Sequence, residues 1–211
     1  MWCPAQWQSI LRHTTRKNKN RRSYKNMRVI SGTARGKKLI PVSGMGTRPT
    51  TDRVKESVFN IIQNHVQSAR VLDLFAGTGQ MGIEALSRGA VHCDFVDRDK
   101  AAQNVIRKNV EAARVSERAR VTGGDFGSFV AGCKKEMYDI IFLDPPYGGK
   151  ILGEALRAIE RFDILSRTGI IVCESFVDDS VQTKFSIGRT YRYGTVQIMI
   201  LSHQQENGTN L

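Results

Sequence analysis

The chain has 211 residues, 40% of them apolar, which is enough for one domain with a full core, and no apolar run approaches the roughly 18 residues of a membrane span. Four scattered cysteines (Cys3, Cys93, Cys133, Cys173) and four histidines (His13, His65, His92, His203) show neither ligand nor disulfide spacing. No metal, a reducing cytoplasm and buried roles for Cys93 and Cys173 are therefore expected. The formal charge of +12 is unevenly placed: residues 1–55 hold 14 of the 32 Lys and Arg and one of the 20 acids, whereas 56–211 carry 18 bases against 19 acids. A basic front end on a neutral body suits a polyanion partner, because Lys and Arg gain affinity by releasing counterions from phosphates.

Residues 1–26 contain seven Lys/Arg and no acid and read as a disordered extension. It fits an RNA-binding tail, a transit peptide, or upstream sequence ahead of a true start at Met27, the reading favoured here. From Met27 the pattern changes. Val29-Ile30 and Leu39-Ile40 flank the turn-rich Ser31–Lys38, predicting a small basic β-hairpin within 27–46. The loop Thr47–Thr51 and Asp52, an N-cap, then precede Val54, Val58, Phe59, Ile61 and Ile62 at helical spacing, so a helix of about three turns should end near Asn64.

Strand-like and helix-like segments then alternate. Val71–Leu74, Cys93–Asp97, Ala119–Thr122, Tyr138–Leu143 and Gly169–Cys173 read as strands, with helices over Met81–Arg88, Lys100–Ala113 and Leu152–Phe162. Lys184–Tyr191 and Thr195–Ser202 are joined so tightly that they must be antiparallel. The fold predicted is α/β: a three-layer, doubly wound, mostly parallel seven-stranded sheet with one antiparallel strand, preceded by the hairpin. The catalytic domain would span 47–203, with a flexible tail over 204–211.

In such sheets ligands bind outside the carboxyl ends of the strands, and four motifs stand there. Asp73-Leu74-Phe75-Ala76-Gly77-Thr78-Gly79, continued by Gly82, is a glycine loop opening a helix whose amides face a ligand. Its G-x-G-x-x-G spacing also fits a dinucleotide dehydrogenase. Against that rival, Asp73 can hold an ammonium, which S-adenosylmethionine has and NAD lacks. Asp97, followed by Arg98, suits an acid accepting ribose hydroxyls. After Gly124, Asp125 is placed to accept an adenine amine and Phe126 to pack on the ring. Asp144-Pro145-Pro146-Tyr147 follows an apolar strand, and its prolines fix a projecting loop. The Asp144 carboxylate and the Pro145 carbonyl would each accept one N–H of an exocyclic base amine, aligning its lone pair, while Tyr147 stacks on the extruded base.

Together these residues resemble class I S-adenosylmethionine-dependent methyltransferases that methylate amines. With Arg28–Gly32, Arg35–Leu39, Thr47–Glu56, Phe59-Asn60 and Gly82–Ala90, the chain from Met27 to Leu201 is similar to the RsmD-like family of 16S ribosomal RNA guanine-N2 methyltransferases. The resemblance implies methylation of N2 of one guanine in 16S rRNA on the small ribosomal subunit or an assembly intermediate. A monomer in the cytoplasm with no membrane partner is expected. Arg28, Arg35, Lys37, Lys38, Arg48, Thr50, Arg53 and Tyr147 would meet RNA. Asp97 stands where Glu is frequent in such enzymes. Competing readings are a DNA adenine-N6 or cytosine-N4 methyltransferase, for which no target-recognition insert is visible, and a protein-glutamine methyltransferase, whose motif commonly begins with Asn. A non-catalytic RNA-binding protein on a decayed methyltransferase scaffold would have lost motif residues that are intact here.

Overall fold

The computed structural model describes residues 27–42, 52–146 and 150–204. Arg48, Thr50, Tyr147 and the extension 1–26 lie outside the described residues. The elements are α1 (Asp52–Ile61), α2 (Gln63–Val66), β1 (Arg70–Asp73), α3 (Gln80–Ser87), β2 (His92–Asp97), α4 (Lys100–Ala112) and β3 (Ala119–Gly123). There follow α5 (Phe126–Ala131), β4 (Tyr138–Leu143), α6 (Lys150–Phe162), β5 (Leu165–Phe176), β6 (Ser186–Tyr193) and β7 (Val196–Ser202).

All seven strands form one sheet in the order β3-β2-β1-β4-β5-β7-β6. The five strands β1–β5 pair in parallel, and β7 runs antiparallel to both β5 and β6, so the sheet has the expected single reversed strand. Two apolar layers cover it. On one face Val58 and Phe59 of α1, Ile83 and Leu86 of α3, and Ile106 and Val110 of α4 pack with Val71, Phe95, Ile140, Phe142 and Val172. On the other, Val130 of α5 and Leu152, Leu156 and Ile159 of α6 pack against Leu72, Ile141, Leu143 and Ile171. Alternation along each strand explains the division, since successive side chains leave a strand on opposite faces. Cys93 and Cys173 are buried within these layers.

The strand β5 is longer than the apolar run predicts. It begins at Leu165 and continues through Glu174 and Ser175, which β7 pairs and covers. Two short elements escaped the sequence reading: the six-residue α5, capped by Asp125 accepting from the Ser128 amide, and a turn of 3-10 helix at Ser116–Arg118. The helix at Asp52 is interrupted at Ile62 and resumes to Val66, two residues past the predicted end.

The basic hairpin is a minimal one: Arg28 and Lys38 bridge in antiparallel fashion, with Val29 N donating to Lys37 O and Leu39 N to Met27 O. Its docking is polar as well as apolar. The fully buried Glu84 carboxylate accepts from the Ile30 and Ser31 amides at 2.7 and 2.9 Å and from Arg88 Nε at 2.8 Å. Ser87 Oγ accepts from the Ala34 amide and itself donates to Ser31 O. Further along, Asn109 accepts from Ile40 N and donates to Ile40 O and Thr78 O, tying the segment to the glycine loop.

Candidate active site

Parallel pairing aligns the carboxyl ends of β2, β1, β4 and β5 along one edge. The register sets Asp73 beside Phe95 and Phe142, and Leu143 beside Cys173. Alternation then directs Asp97, Asp73, Asp144 and Glu174 toward the same face, the one lined by Val71, Phe95, Phe142 and Val172. Four acids from four neighbouring strands thus stand above the layer that α3 and α1 cover.

The glycine loop bends out between β1 and α3. Gly77 and Gly79 have φ of 54° and 75°, the left-handed region that favours glycine. A Cβ on Gly77 would meet nothing within 4 Å, so the loop backbone faces open space there. Gly82 serves packing instead. A Cβ at that position would lie 2.3 Å from the Phe95 ring and 2.6 Å from Cys93 Sγ, so its absence lets α3 lie directly on β2. Asp97 fixes the loop by accepting from the Gly77 amide at 2.8 Å, and its other oxygen accepts from the Asp99 amide at 2.9 Å. A carboxylate has about four lone-pair positions, so acceptor capacity remains on both oxygens.

Asp73 is buried and accepts from the Gly82 amide at 3.1 Å. Desolvation, opposed by that bond and reinforced by the charge of Asp97, pushes its pKa up to about 7. Asp144 is exposed to solvent, yet its carboxyl is desolvated by the groups packed around it. That desolvation, then the negative charges of Glu174 and Asp73, raise its pKa well above the usual carboxylate range. Pro145 is buried and Pro146 exposed. Gln80, the first residue of α3, is buried, and its Oε1 accepts no hydrogen bond among the described residues.

At the β3 end, Phe126 and Phe75 pack ring on ring, centroids 5.3 Å apart, and Asp125 caps the helix that carries Phe126. Arg98 is exposed beside Asp97. The sequence-selected Asp73, Phe75, Ala76, Gly77, Thr78, Gly79, Asp97, Gly124, Asp125, Phe126, Asp144 and Pro145 thus share one edge of the sheet. The basic residues do not converge on it. Arg28 pairs with Asp52 at 3.3 Å, Arg53 is exposed on α1, and Arg35, Lys37 and Lys38 are exposed on a hairpin whose turn docks at Ser87, at the far end of α3 from the glycine loop. Gln80, Glu174 and the loop-holding Asn109 were missed by sequence reading. Glu174 had a signal: it is a carboxylate directly following an apolar strand run, the position where such sheets place ligand contacts. Among the described residues no group of three His, Cys, Asp or Glu could hold a metal ion, and no helix is long and apolar enough to cross a membrane.

A 3-2-1-4-5-7-6 sheet with a glycine loop after β1 and Asp-Pro-Pro after β4 defines a class I methyltransferase. A solved structure of the methyltransferase candidate yhhF from Escherichia coli superposes with a TM-score of 0.74 at 35% identity, covering 84% of this chain and 99% of that one. The family model described as Conserved hypothetical protein 95 matches residues 27–202, and the chain belongs to this RsmD-like methyltransferase family. YlbH of Bacillus subtilis (strain 168), proposed to be an rRNA methyltransferase, is 42% identical over 181 residues, 82% of this chain and 97% of the relative. Ribosomal RNA small subunit methyltransferase D of Escherichia coli (strain K12) is 36% identical over 157 residues, 74% of this chain and 78% of the relative.

Proposed function

We propose that this protein transfers a methyl group from S-adenosylmethionine to the exocyclic N2 amine of a guanine in 16S rRNA of the small ribosomal subunit. The observation that carries the reading is the placement of Asp144-Pro145, just after β4, next to the glycine loop that follows β1, with Asp97 of β2 on the loop's other side, along one sheet edge. The relatives, one bearing the name of a ribosomal RNA small subunit methyltransferase, support the substrate class.

The residues present fit the cofactor. The orphaned Gln80 Oε1, the open space above Gly77 and the remaining lone pairs of Asp97 are what a ligand with hydroxyl and amine donors would engage. Asp97 would hold the ribose hydroxyls and Asp73 the ammonium, with Phe75, Ala76, Thr78, Gly79, Arg98, Gly124, Asp125 and Phe126 completing the cradle. When bound, the cofactor supplies an electrophilic methyl on a sulfonium.

The chain's own part is to present the nucleophile. A base amine has its lone pair delocalised into the ring. Acceptance of one N–H by the Asp144 carboxylate and the other by the Pro145 carbonyl pyramidalises the nitrogen and frees that pair. Desolvation, and after it the charges of Glu174 and Asp73, strengthen the proton affinity of Asp144, so it also suits removal of the proton the methylated amine sheds. Tyr147 would stack on the extruded base. Arg28, Arg35, Lys37, Lys38, Arg48, Thr50 and Arg53 would grip RNA, the hairpin cations at a distance from the reacting base.

The test is transfer of labelled methyl to small subunits lacking the modification, with the product nucleoside identified. N2-methylguanosine in 16S rRNA is the expected product. Labelling of DNA or protein, with none in small subunits or their RNA, would overturn the reading.

A further inference from the structure

Glu174 has no part in the Asp-Pro-Pro-Tyr motif, yet it occupies a defined place beside Asp144. Leu143 of β4 and Cys173 of β5 are register partners on strands about 4.8 Å apart, and Asp144 and Glu174 are the residues that follow them. Both leave the sheet on the Phe142 and Val172 face. Along the edge the order is Asp97, glycine loop, Asp144, Glu174, which puts Glu174 one strand further from the cofactor cradle than the motif carboxylate. It is buried, and its charge is the largest acidic influence on Asp144.

A second carboxylate on the substrate side of the first discriminates among bases by simple chemistry. In guanine one of the two ring nitrogens flanking the exocyclic amine, N1, carries a proton, so the N1 edge offers N–H donors at both positions. In adenine and cytosine the ring nitrogen next to the amine is a lone pair. An ionised carboxylate only accepts. Beside an N–H it forms a charge-assisted bond; opposite a lone pair it leaves two acceptors facing each other in a partly desolvated site.

We infer that Glu174 is a specificity-determining residue, its carboxylate accepting the ring N1–H of the target guanine while Asp144 and the Pro145 carbonyl hold the two amine protons. This rests on the reading of the Asp144 site as one that methylates a base amine, and it accounts for guanine rather than adenine or cytosine as the base.

The experiment compares small subunits carrying guanine with subunits reconstituted with 2,6-diaminopurine at the nucleotide the wild-type enzyme labels. That analogue keeps the 2-amine and replaces the ring N–H by a lone pair. The wild type should prefer guanine in kcat/KM by roughly 10- to 100-fold. Glu174→Ala should bring the two substrates within about threefold of each other, with cofactor affinity unchanged as the measure of an intact fold. Glu174→Gln, which keeps the volume and one acceptor oxygen, should show intermediate discrimination and serves if the alanine variant does not fold. A folded variant that discriminates as the wild type does overturns the role of Glu174 and leaves the methyltransferase reading standing. A wild-type enzyme that labels no guanine overturns both.

Discussion

Lys55 Nζ lies 3.8 Å from Glu84 Oε2, and both side chains are wholly excluded from solvent. The pair is held by more than attraction: Lys55 also donates to Arg28 O at 2.6 Å, while Glu84 accepts from Ile30, Ser31 and Arg88. Burial lowers the pKa of Lys55, and the Glu84 charge opposes that shift. The pair therefore joins three parts of the chain: the hairpin, α1 and α3.

Replacement of Glu84 by Ala strands a buried ammonium and two backbone amides. A loss of about 3–5 kcal/mol is expected, since removing one member of a buried pair leaves the other uncompensated. Urea unfolding curves of the variant and the wild type measure it, and an unchanged midpoint would contradict the assignment of Glu84 as the hub.

Gly82→Ala introduces a methyl where a Cβ would sit 2.3 Å from Phe95 and 2.6 Å from Cys93 Sγ. Overpacking of this kind costs typically about 1–3 kcal/mol. Because α3 carries the glycine loop at its start, cofactor affinity should fall as well. Thermal melting and calorimetric titration with S-adenosylmethionine read the two effects separately.

Asp73 has an ordinary pKa of 3.8 when unfolded and one near 7 in the fold, so the folded state binds more protons between those values. Its contribution therefore favours folding below about pH 4 and is lost progressively as pH rises toward 7. Asp73→Asn should remove this dependence from denaturation curves taken between pH 4.5 and 7, a span set roughly by the two pKa values. In the wild type, a cationic ammonium placed beside Asp73 would favour its ionised form, so binding at pH 6 to 7 should release a proton, about one at most. Calorimetry in buffers of different ionisation enthalpy detects that proton.

Asp144→Ala should lower methyl transfer by roughly 100- to 1,000-fold or more, the scale of losing one group aimed at the reacting centre. Cofactor affinity should stay within about threefold of the wild type, because Asp144 lies outside the glycine loop and the Asp97 contact. Parallel measurement of cofactor binding and of single-turnover transfer separates the two.

Some of this was legible without a structure because it is local. Asp-Pro-Pro after an apolar run, glycines at 77, 79 and 82 after a strand, and the alternation of strand and helix patterns each depend on residues adjacent in the chain. The helix α5 is also local, with Asp125 as its cap, but six residues containing Gly127 carry too short a helical pattern to read.

The amino-acid sequence alone determined the mostly parallel seven-stranded sheet and the sheet edge where its four motifs stand, because backbone periodicity and the handedness of parallel crossovers leave few alternatives. Only the tertiary structure decided that Glu84 clamps a hairpin more than fifty residues earlier, that Asp94 is buried against Tyr138 Oη at 2.7 Å and Arg120 Nε at 2.6 Å, and that Asp144 and Glu174 follow register partners on neighbouring strands. Those partners meet across strands and layers, and strand register, a property of the assembled sheet, sets which charges come within reach of one another.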